Sequence, residues 1–238
     1  MKRWTTWIGI VAVLALAACD VPTEVARPMP AAGTAAPPLA PEAAARAFVQ
    51  VVRTVEPVAE AECRRLTVNT DCDFRIVVDD RPGQPVNAYQ SRDETGRPVL
   101  TFTLALIADA RNTDELAFVM GHEAAHHILG HLDRQQRNAM AGALVFGGLA
   151  TLTGGGTGSV ESAQRLGAVV GARSYSKEFE LEADELGTLI TLRAGYDALR
   201  GSEFFSRIPD PGNRFLGTHP PNAERADLVR RTVARARG

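Results

Sequence analysis

The chain has 238 residues, of which 45% are hydrophobic and 23% are charged, and its formal net charge at pH 7 is −2. This balance lacks the basic excess with which proteins neutralise nucleic-acid phosphates, so a nucleic-acid partner is not expected. The length suits one globular domain with an N-terminal extension.

The N-terminal segment is typical of an export signal. Two basic residues precede the apolar run 8–18, which is too short to anchor stably across a bilayer. The run ends in Leu16-Ala17-Ala18-Cys19, which resembles the lipobox of bacterial lipoproteins. That resemblance implies cleavage after residue 18 and a lipid on Cys19. An ordinary secretory signal that happens to contain a cysteine is the alternative.

The next segment is predicted to be a tether. Residues 19–41 contain six prolines among alanines and few large apolar side chains, so they cannot bury enough surface to fold. The folded domain is therefore expected at 42–238. A lipid on Cys19 would hold it in the cell envelope, on the periplasmic side of the inner or outer membrane.

Two cysteines remain in the predicted domain, Cys63 and Cys72. In an exported chain the environment is oxidising, and a short-loop disulfide between them is expected. A metal role is not favoured, because the segment between them offers no companion ligands.

The first part of the domain is predicted to contain one helix and three strands. Apolar residues at helical spacing extend from Pro41 to about Leu66, with Pro57 expected to break or kink the helix. The runs 75–78, 87–90 and 98–102 are separated by turn residues and predict a small antiparallel sheet.

A helix capped by Thr113 or Asp114 is predicted next, running through His131. It carries His122 and His126, whose i, i+4 spacing places both imidazoles on one face within reach of one metal ion. Glu123 is rotated by about 100° from His122, so its carboxylate can meet a water instead of the ion. This is the His-Glu-x-x-His pattern of zinc proteases.

Two other features around this helix each have more than one interpretation. His127 and His131 form a second i, i+4 pair, which is expected to face away from the first and to be structural or supporting. The segment 139–153 is apolar and too short to cross a membrane comfortably. It predicts a buried helix followed by a glycine-rich loop, or a membrane-skimming or gating element.

A zinc protease needs a third protein ligand. Downstream, Glu180 and Asp184 share a helix face, which would suit a ligand and a carboxylate that supports a zinc-bound imidazole. Glu178 and Glu182 also share a face, so spacing alone leaves both pairs open. A solvated acidic helix face is the non-functional alternative.

Several motifs together carry a family resemblance across roughly residues 45 to 230. They are His122-Glu123-x-x-His126, Glu180-x-x-x-Asp184, Thr218-His219-Pro220, Asn87-Ala88-Tyr89, Asp114-Glu115-Leu116-Ala117 and Gly195-Tyr196-Asp197. The combination resembles the HtpX/BepA-like zinc metallopeptidases, kin of the CAAX prenyl endopeptidase. The chain lacks the multi-span membrane portion and the helical-repeat domain of larger members, so the small lipoprotein members are the closer comparison.

The resemblance implies an α+β fold: a mostly helical zincin (gluzincin) metalloprotease domain with the small sheet. It implies one zinc ion per chain, held by His122, His126 and Glu180. Asp184 would support a zinc histidine. His219 would lie near the metal, with Arg225 six residues later, and would plug the site or stabilise the oxyanion. A turn histidine is the alternative for His219.

In the implied mechanism, Glu123 is the general base for attack by water. The strand at Asn87, Ala88 and Tyr89 is expected to pair with extended substrate, because strand addition tolerates many sequences. The function expected is cleavage of unfolded or damaged envelope proteins. The alternatives are a lipoprotein chaperone or adaptor with little proteolysis, and a hydrolase of small substrates.

Overall fold

The computed structural model describes residues 36–174, 176–209 and 219–238. The predicted signal, Cys19, most of the predicted tether and Thr218 lie outside the described residues. Within the described part helices dominate and one small sheet is present, so the predicted α+β class is confirmed. In that part of the chain, no helix combines the length and the apolar character needed to cross a membrane.

The described elements follow one another along the chain. They are α1 (Pro41–Leu66), β1 (Arg75–Asp79), β2 (Ala88–Arg92), β3 (Pro98–Thr103), α2 (Leu104–Asp109), α3 (Thr113–Ile128), α4 (His131–Leu152), α5 (Thr157–Arg173), α6 (Ser176–Arg193), α7 (Ala198–Gly201), a 3-10 helix (Ser202–Ser206) and α8 (Asn222–Arg237). α1 continues as one helix through Pro57, so a break at this proline is wrong, and its apolar face is buried on both sides of it, at Phe48 and Val55 before it and at Ala59 and Cys63 after it.

The three strands form a mixed sheet in the order β1-β3-β2, and the expectation of an antiparallel sheet is wrong for one of its two pairings. β2 and β3 form an antiparallel hairpin, but β1 lies parallel to β3 on the other side. All six residues of the central strand β3 are buried. The ring of Phe102 packs edge-on against that of Phe48, which fixes the sheet on α1.

The ends of α3 differ from the prediction. Asn112 is the N-cap, since its side-chain oxygen accepts the Glu115 amide at 3.0 Å, so capping by Thr113 or Asp114 is wrong. Gly130 adopts a left-handed conformation with φ of 65°, which ends the helical path. His131 therefore begins α4 and does not extend α3.

The first turn of α3 anchors distant parts of the chain. Asp114 accepts the backbone amide of Asp197 at 2.9 Å. Glu115 is buried and receives two hydrogen bonds from Arg207, at 2.6 and 2.8 Å. These contacts give a structural reason for the Asp-Glu pair and for the Gly195-Tyr196-Asp197 motif: they hold the segment after α6 against the start of α3.

Cys63 and Cys72 form a disulfide in the structure. The disulfide fixes the loop between α1 and β1. A side chain of α3 also contacts this loop. The His127 Nε2–H group donates to the carbonyl oxygen of Asp71 at 2.7 Å, and the His127 ring packs edge-on against Phe74. His127 therefore has a structural role, which is one of the two roles predicted for it.

α3 and α6 cross at two glycines. A Cβ at Gly121 would lie 2.8 Å from the carbonyl oxygen of Gly187, and a Cβ at Gly187 would lie 2.8 Å from the amide nitrogen of His122. Real side chains do not approach backbone atoms so closely, so both positions require glycine. The crossing brings the backbone of α6 against the backbone of His122, the first histidine of the His-Glu-x-x-His pattern.

We predict that Gly187→Ala destabilises the fold by about 1–3 kcal/mol, since the added methyl group forces α6 away from α3. The matched control is Gly148→Ala in α4, where nothing lies within 4 Å of the added carbon. This control should be neutral or gain up to about 1 kcal/mol from alanine's helix propensity. Thermal unfolding measures both, and equal effects at the two glycines would contradict the close crossing.

Candidate active site

His122 and His126 on α3 face Glu180 on α6. The two Nε2 atoms are 3.0 Å apart. A carboxylate oxygen of Glu180 lies 3.6 Å from Nε2 of His122, and the other lies 3.4 Å from Nε2 of His126. Among the described residues, these three side chains form a group whose ligand atoms could hold a metal ion. The structure thus brings the three predicted ligands together.

The arrangement fits zinc in geometry and in charge. Zinc bonds of about 2.0–2.1 Å in a tetrahedron require ligand atoms about 3.3 Å apart, which agrees with the three observed distances. With neutral imidazoles, the carboxylates of Glu123, Glu180 and Asp184 and the guanidinium of Arg225 sum to a formal charge of −2 (three negative, one positive). A divalent cation would balance this inward-facing negative charge.

Asp184 and Arg225 support His122 from behind. Asp184 is fully buried, and its Oδ1 lies 2.9 Å from Nδ1 of His122. Arg225 donates two hydrogen bonds of 2.7 Å to Asp184 and lies over the ring of Phe205. Burial alone would raise the pKa of Asp184, but these partners lower it on balance. Asp184 is thus held as a carboxylate beside the imidazole N–H group.

A second support reaches His126. Its Nδ1 lies 2.8 Å from Nδ1 of His131, and Nε2 of His131 lies 3.0 Å from Glu182. Burial lowers the pKa of His131 to about 4, so its ring is neutral at neutral pH. If His126 donates from Nδ1, His131 accepts there and donates from Nε2 to Glu182.

A structural or supporting role was predicted for His131, but its contact with His126 was not. The expectation that His131 faces away from His126 is wrong, because the turn at Gly130 reverses the chain and directs the ring back. The carboxylate of Glu182 also accepts hydrogen bonds from the guanidinium of Arg134. No local pattern connects these residues, since Glu182 is 51 positions from His131.

Four of the five acids of α6 therefore separate by position. Glu180 faces the histidines of α3, and Asp184 lies behind them, while Glu182 contacts the first turn of α4. Glu178 is exposed. The three-dimensional arrangement thus selects the Glu180 and Asp184 pair that spacing alone left open.

A cleft of about 550 Å³ opens over this group. Glu123 lines it beside the two histidines, and residues 86–90 around the start of β2 form one wall. His219 also lines it: its Nδ1 lies 3.1 Å from Glu180, and its side chain is 52% exposed. Burial would raise the pKa of Glu180, but hydrogen bonds to His126 and His219 lower it well below its usual range.

Comparison with known families agrees with this geometry. The sequence profile of Peptidase family M48 matches residues 46–233. The chain belongs to peptidase family M48. The predicted family resemblance is therefore confirmed, and the M48 domain is placed among the metalloendopeptidases.

Individual relatives match different shares of the M48 domain. Beta-barrel assembly-enhancing protease of Escherichia coli O157:H7 is 31% identical over 150 residues, which covers 53% of this chain and 29% of that protein. Human mitochondrial metalloendopeptidase OMA1 is 27% identical over 139 residues, 51% of this chain and 26% of that protein. Metalloprotease LoiP of Escherichia coli K12 is 25% identical over 188 residues, 74% of this chain and 73% of that protein. The chain thus spans under a third of the first two relatives and most of the third.

We predict that His131→Leu weakens zinc binding by about 10–100-fold, because the N–H group of His126 loses its acceptor. His131→Asn is the matched control, since its side-chain oxygen can stand close to where Nδ1 was and accept the same proton. Competition with a chromophoric chelator measures the zinc affinity of each variant. Equal losses in both variants would show that His131 acts through packing on Phe179 and not through this hydrogen bond.

Proposed function

We propose that this chain is a zinc-dependent metalloendopeptidase that cleaves unfolded or damaged proteins of the cell envelope. The observation that carries the proposal is the convergence of His122, His126 and Glu180 beside Glu123 in an open cleft. Such a set offers three protein ligands and leaves room for water, which is the composition of a catalytic zinc site.

The residues divide the chemistry among them. When bound, zinc supplies a Lewis acid that polarises the scissile carbonyl and acidifies water. The Glu123 carboxylate takes the proton of the attacking water and returns it to the leaving amine. Asp184 and His131 hold the two imidazoles so that their Nε2 atoms face the cleft.

Substrate recognition is proposed at the open side of β2. The amide of Thr103 donates to the carbonyl oxygen of Asn87, so in this antiparallel pair Asn87 and Tyr89 direct their backbone groups toward β3. Ala88 and Gln90 then direct theirs outward. Within the described sheet no strand covers that side, which also lines the cleft. An extended substrate can add there by backbone hydrogen bonds, with little demand on its sequence.

The cellular place proposed is the envelope, through a lipid on Cys19. The support is the lipobox-like sequence and the names of the relatives, one of which is a beta-barrel assembly-enhancing protease. The partners proposed are unfolded envelope proteins as substrates and the bilayer that receives the lipid. In this proposal the lipid determines where the domain acts, and the open edge of β2 determines which substrates it can bind.

His219 is proposed to hold the site latent. Its ring lies at the cleft wall in contact with Glu180, where substrate would have to approach the ligands. Because its side chain is half exposed, it can leave without breaking the core. Arg225 is too deeply engaged with Asp184 to move with it.

We predict that Glu123→Gln lowers casein cleavage by about 10²–10⁴-fold, because the amide cannot take the proton. Zinc content should stay at one ion per chain, since Glu123 is not among the proposed ligands. The control is Glu178→Gln on the exposed side of α6, which should retain activity. Mass spectrometry of the products detects internal cuts. Their absence from the zinc-loaded native chain would refute the endopeptidase, and unchanged envelope phenotypes in Glu123→Gln would favour a chaperone.

We predict that His219→Ala raises casein cleavage several-fold, as removal of an occluding ring opens the site. Initial rates at saturating zinc, compared with His219→Gln, test this. Glutamine keeps a polar side chain of similar length and should show a smaller gain. A loss of about 10-fold or more in His219→Ala would instead mean that the imidazole stabilises the transition state.

A further inference from the structure

The hairpin formed by α4 and α5 buries very little of itself. Among residues 131–173, all of which the structure describes, the buried residues are His131, Gly147 and Gly167. The two helices touch backbone to backbone, since a Cβ at Gly142 would lie 2.0 Å from the carbonyl oxygen of Gly167. This contact joins the helices and leaves their outward sides uncovered.

Those outward sides are apolar. Seven of the fourteen exposed large hydrophobic side chains in the described residues belong to this hairpin. They are Met140, Leu144, Val145, Leu149, Leu152, Leu166 and Val169, with exposures of 49–87%. The five on α4 fall within one half of the helix circumference, and we call these five the α4 outer face. Exposed apolar side chains gathered in this way mark an interaction surface.

Charge is absent from this part of the hairpin and present at its base. Residues 138–160 contain no charged side chain over 23 positions. A Cβ at Gly171 would contact the backbone of Asn138, so the end of α5 lies beside the start of this uncharged stretch. Arg137 and Arg173, both exposed, therefore stand at the border where the uncharged stretch begins.

The acidic residues of the hairpin both have partners. Asp133 receives two hydrogen bonds from Arg92 of β2, at 2.7 and 2.8 Å. Glu161 lies 3.9 Å from Arg165 on the same helix. With four arginines against two acids, residues 131–173 carry a net charge of +2. An uncharged apolar face with a cationic border matches the acyl and headgroup layers of an anionic bilayer surface.

We propose that the α4 outer face docks on the surface of the lipid bilayer to which the chain is tethered. Since no described helix can cross a membrane, α4 would lie along the surface with its apolar side chains among the upper acyl chains. The exposed arginines at its base would reach the headgroups. The site would then lie at a fixed distance from the bilayer, because His131 and Arg134 both contact Glu182 of α6.

The length of chain outside the described residues supports the bilayer as the partner of the α4 outer face. The docking proposal rests on the lipid anchor at Cys19, which is part of the proposed function. Sixteen residues separate Cys19 from Ala36, the first described residue. Fully extended they reach at most about 50–60 Å. A domain held so close meets the bilayer at a high effective concentration, so even a modest apolar face would engage it.

Tryptophan fluorescence in vesicles tests the docking. Both tryptophans of the chain, Trp4 and Trp7, lie in the predicted signal, so Leu152→Trp adds a reporter to the α4 outer face. The chain purified after expression of the full sequence is reconstituted in vesicles of phosphatidylcholine and phosphatidylglycerol with brominated acyl chains. If Cys19 carries no lipid, its thiol is coupled to a maleimide phospholipid, and the parent chain supplies the background signal. Bromine should quench the Leu152→Trp signal at least about twofold.

Val49→Trp on α1 is the matched control, since Val49 is also an exposed apolar position on a helix. Its fluorescence should remain unquenched. Adding Leu144→Glu and Leu149→Glu to the Leu152→Trp chain should abolish quenching, while circular dichroism verifies the helices. Equal quenching at both reporters, or none at Leu152→Trp, would overturn the docking proposal.

Other occupants of the face give different results. A blue shift that grows with protein concentration in the absence of lipid would identify a second copy of the chain. A blue shift that needs unfolded casein would identify substrate. Either result without lipid quenching overturns the membrane assignment. Casein cleavage and the lipid mass on Cys19 are measured on the same preparation, so a failure of the proposed function is distinguished from a failure of docking.

Discussion

The crossing of α3 and α6 at Gly121 and Gly187 sets the geometry on which the candidate site depends. One helix supplies two imidazoles and the other supplies a carboxylate, and their separation is fixed by backbone contact and not by adjustable side chains. Packed interiors resist such changes, because an added methyl group displaces whole elements. The same crossing places Asp184 behind His122. α6 therefore supplies both the proposed ligand Glu180 and the carboxylate that supports His122.

Electrostatics and packing are coupled around this crossing. Burial of Asp184 would be costly if its charge were unpaired, and Arg225 from α8 supplies the partner. The guanidinium is itself held against the ring of Phe205, which belongs to the segment that Arg207 and Glu115 fasten to the start of α3. Two distant segments are therefore needed to keep one imidazole oriented. The site is consequently a property of the whole domain, although its ligands lie on only two helices.

The sequence was most informative where the chemistry is local. Helical spacing alone placed His122, Glu123 and His126 on one helix, and the three strands were recognised as short runs separated by turn residues. The third ligand needed the family resemblance, because Glu178 and Glu180 are equivalent by spacing and differ only in where α6 crosses α3. The parallel pairing of β1, the turn at Gly130 and the contact between His131 and His126 were missed. Each depends on partners far apart in sequence or on one backbone conformation, and periodicity carries no information about either.

The α4–α5 hairpin has a consequence for how the domain folds. His126 and Glu180 are separated by 53 residues, and bringing them together from an open chain would require closing a long loop. The hairpin's contacts, such as that between Gly142 and Gly167, join residues closer in sequence than His126 and Glu180, so they cost less loop entropy to form. Once formed, the hairpin shortens the effective loop to roughly ten residues and lowers the entropic cost of closure by about 1–2 kcal/mol. A segment with almost no core of its own thereby lowers the entropic cost of bringing the core helices together.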